Sequence, residues 1–513
     1  MRKMIDSGVK WIGDIPQDWN IVRFKSKYRN IKEIAGEKSN EYERLALTLS
    51  GVIKRSKDDS EGLQPKEFDT YQILRENDFV FKMIDLQNIS TSRVGLSSYT
   101  GLVSPAYIRF TSRIENQDNR FVYYYLMSMY YNCVFNNLGG DGVRSALNAK
   151  DMGQFEIPYP SEDKQIHIAN ILDDKCGQVD ILISNQEQQI EKLKAYKQSL
   201  ITEVVTKGLN PNVPMKDSGV DEIGNVPNHW KVYKTLYCLT MPITDGPHTT
   251  PELFDEGIPF VSAEAVSCGK GSIDFNHIRG YISQEFYDEC CKKYVPKLND
   301  VYMIKSGATT GKVSIVDTDK IFTIWSPIAV FRCNEERIIS RYLYLYLQSY
   351  PYQKQIELGW TYGTQQNIGM RTLEQLKVAV PNLKEQQEIV AYLDDKCAKI
   401  DALIEIKQKK IDKLNEYKKS LIYEYVTGKK EAWFMQDVTK NECFKVKIIV
   451  YAKDFDKTIN ILDELRNGND IVDYKFDALK TDPQFIDVLA SSEQKVISII
   501  RYIKSLGIYV DRL

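Results

Sequence analysis

Histidine is scarce in this 513-residue chain, with only four, and the nine cysteines include no CxxC pair and none at ligand spacing from a histidine. That excludes a zinc site as a working expectation and leaves buried, reduced thiols as the default for the cysteines. No apolar run approaches the roughly 18 residues that a membrane span needs, and nothing after Met1-Arg2-Lys3-Met4 has the form of a secretory signal. The chain is therefore expected in the cytoplasm, away from membranes. No two prolines are adjacent, so the Asn/Asp-Pro-Pro-aromatic signature of adenine methyltransferases is missing. The stretch Gly307-Ala308-Thr309-Thr310-Gly311-Lys312 is one residue short between its glycines, and Val313 stands where a phosphate loop needs Ser or Thr for magnesium. No catalytic or metal residue is assigned, and no cofactor is expected on this chain. A surplus of one charge is lacking too: 68 basic against 70 acidic residues give a net charge of −2. Attraction to phosphate depends on a local basic face, so this balance neither indicates nor excludes nucleic acid.

What the chain has is a copy of itself. Asp6-Ser7-Gly8-Val9, Ile12-Gly13, Pro16 and Trp19 return as Asp217-Ser218-Gly219-Val220, Ile223-Gly224, Pro227 and Trp230, each 211 positions on. Further along, Leu172-Asp173-Asp174-Lys175-Cys176 returns as Leu393-Asp394-Asp395-Lys396-Cys397, now 221 positions on. The second copy thus carries about ten more residues in its middle. Each copy runs from a Gly/Pro/Trp opening through some 140 residues of mixed character into a helical stretch. Strands are expected at Asp78 to Lys82, Ala106 to Thr111, Val301 to Lys305, Lys312 to Val316 and Ile328 to Arg332, and helices at Phe121 to Phe135 and Arg341 to Gln355. Trp19 and Trp230 are expected in the core, where so large an apolar ring belongs.

The two helical stretches are the clearest elements. Cys176, Val179, Ile183, Gln186, Ile190, Leu193, Lys197, Leu200 and Val204 alternate three and four apart, and Cys397, Ile400, Ile404, Lys407, Ile411, Leu414, Lys418, Leu421 and Tyr425 repeat the pattern. This is a coiled-coil seam interrupted by polar residues. From Lys164 to Lys207 such a helix is roughly 65 Å long at about 1.5 Å per residue, and its natural partner is its duplicate. Lys192, Lys194, Lys197, Lys409, Lys410 and Lys413 are expected on the solvated surface of the pair. The fold class is therefore a multidomain α/β (α+β) protein: two tandem mixed domains, separated and joined by two long antiparallel coiled-coil helices, with pseudo-two-fold symmetry. A two-fold protein offers two readers to two half-sites along a duplex. A coiled-coil scaffold that joins two protein-binding modules, without DNA recognition, remains the alternative.

The opening Gly8-Val9-Lys10-Trp11-Ile12-Gly13-Asp14-Ile15-Pro16-Gln17-Asp18-Trp19, its copy, and the helix starts at Gln165 to Asp173 and Glu385 to Asp394 resemble type I restriction–modification specificity subunits over about residues 1 to 430. The resemblance implies a target-recognition domain at 1–160, a helical spacer at 161–208, a second recognition domain at 209–381 and a second spacer at 382–430. It also implies double-stranded DNA with a two-part site as ligand, and two modification subunits as partners that methylate adenine with S-adenosylmethionine. Where restriction subunits join, two of them would use ATP and magnesium. Residues 431–513 depart from the pattern and are expected to form an appended helical domain of unknown role, from the spacing of Ile459, Leu462 and Leu465 and of Val496, Ile499, Ile500 and Ile503.

Candidate DNA contacts follow from groove chemistry, in which Arg suits guanine and Asn or Gln suits adenine. The resemblance draws attention to Ile84-Asp85-Leu86-Gln87-Asn88 together with Val94-Gly95-Leu96, hence Asn88 and Arg93. Glycine-bracketed loops at matching places in the repeat add Asp141, Arg144 and Ser145 in the first half, and Tyr362, Thr364, Gln365, Gln366 and Asn367 in the second. The turn at Gly307 adds Thr309, Thr310 and Lys312 as phosphate contacts, which would position rather than specify. For each loop the plainer reading, a turn that returns the chain to the helices, stays open.

Overall fold

The computed structural model describes residues 2–48, 51–58, 67–83, 93–137, 146–362 and 366–431, together with strands at 444–450, 473–476, 484–490 and 510–512. The chain divides into two units, Met1–Lys430 and Glu431–Leu513.

Within the first unit the duplication extends to topology. In the first half, Tyr28–Asn30, Ile108–Ser112, Phe79–Lys82 and Arg93–Leu96 lie side by side as an antiparallel sheet. In the second, Thr244–Asp245, Ile328–Phe331, Val301–Ile304 and Val313–Ile315 take the same order and directions. The central strands are apolar at every position from Val301 to Ile304 and from Ile328 to Phe331, and all eight residues are buried, as a sheet covered on both faces requires. Each half adds a second sheet, of four strands in the first half and three in the second, built around a parallel pair, Arg44–Thr48 with Gly101–Val103 and Ile258–Val261 with Thr323–Ile324. The opening hairpins also repeat, as Met4–Asp6 with Asp14–Pro16 and Met215–Asp217 with Asn225–Pro227. Trp19 and Trp230 are buried beside them.

One expected helix is broken in two. Instead of a run from Arg341 to Gln355, the chain forms Ser340–Leu347 and then Tyr350–Leu358. Pro351 sits in the first turn of the second piece, where its missing N–H is harmless but where it cannot continue a helix from before. The Ser349 hydroxyl donates to the Tyr346 carbonyl at 2.7 Å and closes the break.

The long helices span Glu162–Lys207 and Leu383–Val426 and pack on each other. The polar residues in the seam explain their direction. Lys197 Nζ reaches Asp401 at 2.6 Å, and Lys418 Nζ reaches Asp180 at 2.6 Å. Both lysines and both aspartates are 221 apart, so the two bridges are one contact made twice by antiparallel helices about a pseudo-dyad. Lys407 crosses to Gln189 near the middle. Lys194 and Lys409 instead pair along their own helices, with Glu191 and Glu405.

Each helix starts on its own half and ends on the other. At Gly208, with a positive φ of 76°, a Cβ would lie 3.3 Å from the Trp230 ring; at Gly428, with φ 70°, it would lie 2.4 Å from Pro16 Cγ and 3.2 Å from the Trp19 ring. Lys429 Nζ then donates to the Ile12 carbonyl at 3.1 Å. The two mixed domains thus occupy opposite ends of the paired helices.

The second unit, expected to be helical, also contains strands. Its described residues form an antiparallel sheet in the order Asp473–Phe476, Gln484–Ala490, Phe444–Val450, Val510–Arg512. Phe444, Val446, Ile448 and Val450 recur every second residue, the period of a strand. The helical spacing at Ile459 to Leu465 and Val496 to Ile503 falls outside the described residues.

Candidate nucleic-acid interface

Each recognition surface is carried by a frame whose polar contacts repeat. Asn77 and Asn299 turn the chain with positive φ of 64° and 69° just before a central strand. The next residue, Asp78 or Asp300, is buried and holds an arginine, Arg109 within the neighbouring strand or Arg332 one residue past it. Arg109 Nε donates to Asp78 at 2.6 Å, and Arg332 donates to Asp300 at 2.8 and 2.7 Å. Each carboxylate also caps its own turn, accepting from the Arg75 or Lys297 backbone N–H at 2.9 and 2.8 Å. A further pair joins the frame to the helices: Arg120 to Asp173, and Arg341 to Asp394 at 2.8 Å. The repeated Leu-Asp-Asp thus supplies one aspartate per helix to anchor a mixed domain. Gln165 and Gln386, both buried, donate to the carbonyls of Pro160 and Pro381 at 2.8 and 3.0 Å at the helix starts.

On the second frame, the turn at Lys305 to Lys312 and a small hairpin come together. Thr361–Tyr362 pairs with Gln366–Asn367, and this hairpin lies against the turn. Gly307 N–H donates to the Gln366 carbonyl at 3.0 Å, Ile368 N–H to the Lys305 carbonyl at 2.9 Å, and Ser306 bridges Asn367. Thr309, Lys312, Gln366 and Asn367 are exposed along this joint, while Thr310 is half-buried, its hydroxyl donating to the Gly307 carbonyl at 2.7 Å. Gly311 N–H is bonded to the Ile304 carbonyl at 2.8 Å. The glycine amides that would cradle a nucleotide phosphate are therefore already used, and the segment is a hairpin turn.

Five of the candidate contacts thus meet on one surface. Tyr362 belongs to the same hairpin by its backbone, and Arg93 opens the edge strand Arg93–Leu96 of the first half, paired with Lys82. Asn88, Asp141, Arg144, Ser145, Thr364 and Gln365 lie outside the described residues. Two features of the site have no counterpart among the residues nominated from sequence. The Asn-Asp dipeptides were legible as a further repeat, at 77–78 and 299–300. Asp245 is fully buried among Lys293, Lys305 and His248, and its sequence context, Thr244-Asp245-Gly246-Pro247, reads as an ordinary turn.

Among the described residues no group of His, Cys, Asp or Glu is placed to hold a metal ion, and no helix is long and apolar enough to cross a membrane. Burial pushes the thiols of Cys176 and Cys238 up to about 11 and that of Cys333 up to about 12, so they remain protonated fillers of the core.

Comparison with known proteins places these features in a family. The family model described as the type I restriction modification DNA specificity domain matches twice, at residues 25–194 and 247–416. The specificity subunit of the type I restriction enzyme MjaVIII from Methanocaldococcus jannaschii is 24% identical over 421 residues, covering 81% of this chain and 93% of the relative. The putative MjaX specificity subunit of the same organism is 26% identical over 436 residues, covering 82% and 95%. A chain solved in work on the assembly and conformational transition of the type I restriction–modification system superposes with a TM-score of 0.56 at 16% identity, over 80% of this chain and 98% of that one.

Proposed function

The chain belongs to the type I restriction–modification DNA specificity family, as the subunit that recognises DNA rather than one that catalyses, and from that premise we propose that it reads a split duplex site as two words a fixed distance apart. The observation that carries this reading is the doubled bridge, Lys197 to Asp401 and Lys418 to Asp180, which makes the paired helices a ruler with a pseudo-dyad. Residues 1–160 and 209–381 are the readers, and 161–208 and 382–430 the spacers. In the second reader, Gln366 and Asn367 address base edges, where a side-chain amide can bond adenine with both of its groups. Thr309, Thr310 and Lys312 hold the backbone beside them. Tyr362, Thr364 and Gln365 extend that surface, and Asn88, Arg93, Asp141, Arg144 and Ser145 form its counterpart in the first reader.

Two modification subunits dock on the two-fold frame and bring S-adenosylmethionine; restriction subunits, where they join, bring ATP and magnesium. This chain supplies address and assembly, in the cytoplasm where the DNA is. The test is to express it with its modification subunit and map methylated adenines across a genome. A two-part motif is expected, and exchanging residues 20–155 for those of a relative should change one part and leave the other and the gap intact. A continuous motif, or none, overturns the proposal.

A further inference from the structure

Beside the turn and hairpin of the second half, the short strand Thr244–Asp245 delivers a carboxylate with no solvent exposure to a cluster of cations. Lys293 Nζ donates to Asp245 Oδ1 and lies 3.3 Å from the Gly246 carbonyl. Lys305 Nζ and His248 Nε2 approach Oδ2 at 3.3 and 3.2 Å, yet that oxygen makes no aligned hydrogen bond. Two ammonium groups and one imidazole meet this one carboxylate, and Glu289 lines the adjoining cavity together with Asp245 and Lys293. The outer members of the cluster face solvent, with the side chain of Lys293 47% exposed and that of His248 71%, while that of Lys305 is 12% exposed and sits behind them. The backbone is drawn in to make this possible, since a Cβ on Gly246 would lie 1.9 Å from the Ile324 carbonyl oxygen. Lys305 is also the residue whose carbonyl accepts from Ile368, so the cluster adjoins the surface that carries Gln366 and Asn367.

We propose that this cluster is a clamp for a single DNA phosphodiester, in which Asp245 is a positioning residue that sets Lys293 and His248 against the phosphate. The proposal rests on the DNA-reading function given above and adds the group that fixes how deeply the hairpin sits. A lysine left free on a surface loses side-chain freedom on meeting a phosphate; one already held by a buried carboxylate has lost it on folding. The clamp positions without specifying.

The experiment uses the full chain with its modification subunit and a duplex carrying the mapped site, with binding followed by fluorescence anisotropy across a salt series. Lys293→Gln should weaken binding about three- to tenfold and lower the slope of log affinity against log salt by about one, with the methylated motif unchanged. Asp245→Asn removes a negative charge, which by charge alone would tighten binding; the clamp requires that it weaken binding and lower the slope as Lys293→Gln does. His248→Ala, at the surface, carries the test if the Asp245 variant does not fold, and should weaken binding in the same sense. Wild-type affinity and slope in the Lys293 and His248 variants, whatever their thermal stability, would make the cluster a structural ion group only and overturn the clamp. Failure of the DNA-reading function looks different: the unaltered complex would then show neither a mapped motif nor salt-dependent binding.

Discussion

Where the first half places Asp18 against Lys164, the second places His229 against Glu385. The acid has moved from the opening segment to the helix start and the base has moved the other way, while the contact survives. Deeper in each half the residue types are kept but not the position: Asp78 holds Arg109 and Asp300 holds Arg332, the arginine standing two register positions further along in the second half. Other polar contacts diverge further. Glu33 pairs with the exposed Arg75 and with Arg109 in the first half, whereas the second builds its cluster around Asp245. Duplication has kept the residue types of the buried contact inside each domain, kept only the complementarity of those at the helix starts, and released the rest. That is the order expected if the frame must stay constant while two different words are read.

The comparison breaks first, and with the largest effect, at the buried pairs. Arg109 and Asp78 have side chains 2% and 3% exposed, whereas Arg332 is 21% exposed over a buried Asp300. Removing one partner of a fully buried pair strands a charge and costs about 3–5 kcal/mol. Arg109→Met should therefore lower the urea midpoint of the full chain strongly. Arg332→Met should cost clearly less, about 1.5–3 kcal/mol, the range for hydrogen bonds to a charged group that water can still reach in part. Equal losses would mean that the two cores are not distinguished by solvent access as their burial implies.

Such pairs mark what could be read from sequence. Repeat offsets of 211 and 221 and a three-four apolar spacing are periodic signals, and they gave the two domains, the two helices and their antiparallel pairing. The polar residues in the seam, which looked like interruptions, are the groups that fix its direction: Lys197, Lys407 and Lys418 all reach across. In the second unit the three-four spacing at Ile459 to Leu465 overshadowed a two-residue alternation at Phe444 to Val450, where the chain forms a strand. The surface was only partly legible. Chemistry nominated Thr309, Lys312, Gln366 and Asn367 separately, but that the turn and hairpin share backbone hydrogen bonds is a long-range fact without local trace. Asp245 escaped because a lone aspartate in a turn carries no sign that it will be buried among three basic side chains.

A smaller effect sharpens the comparison at the helix starts. Burial pushes the Asp18 carboxyl up, but hydrogen bonds from Lys164 and Arg2 outweigh it and hold the group down at about 2 against an ordinary 3.8. A carboxyl depressed on folding contributes stability in full above its unfolded value, and loses it as pH falls through the folded one. The thermal midpoint should thus fall between pH 3.8 and about 2 by a margin that Asp18→Asn removes. The contribution is modest because the Asp18 side chain is 47% exposed. Transplanting the other half's arrangement, Asp18→His with Lys164→Glu, should keep the fold at neutral pH and abolish the Asp18 margin. A fold lost at neutral pH would show that the contact is fixed in identity and not merely in complementarity.

The smallest effect tests the pseudo-dyad itself. The bridges Lys197 to Asp401 and Lys418 to Asp180 are solvent-accessible, with aspartates 56% exposed in both, so each is worth about 0.2–1 kcal/mol and weakens in salt. Double-mutant cycles to alanine at the two sites should return the same coupling to within about 0.5 kcal/mol. Reversing one pair, Lys197→Asp with Asp401→Lys, should restore most of what either single change loses. The equality matters more than the size. A rod held equally on both sides of its dyad keeps the readers at one separation, so the gap in the methylated motif should stay fixed when either bridge is removed. Coupling at one bridge and none at the other would mean that only one end of the rod is pinned, and the ruler would owe its length to the apolar seam and the domain anchors at Asp173 and Asp394 instead.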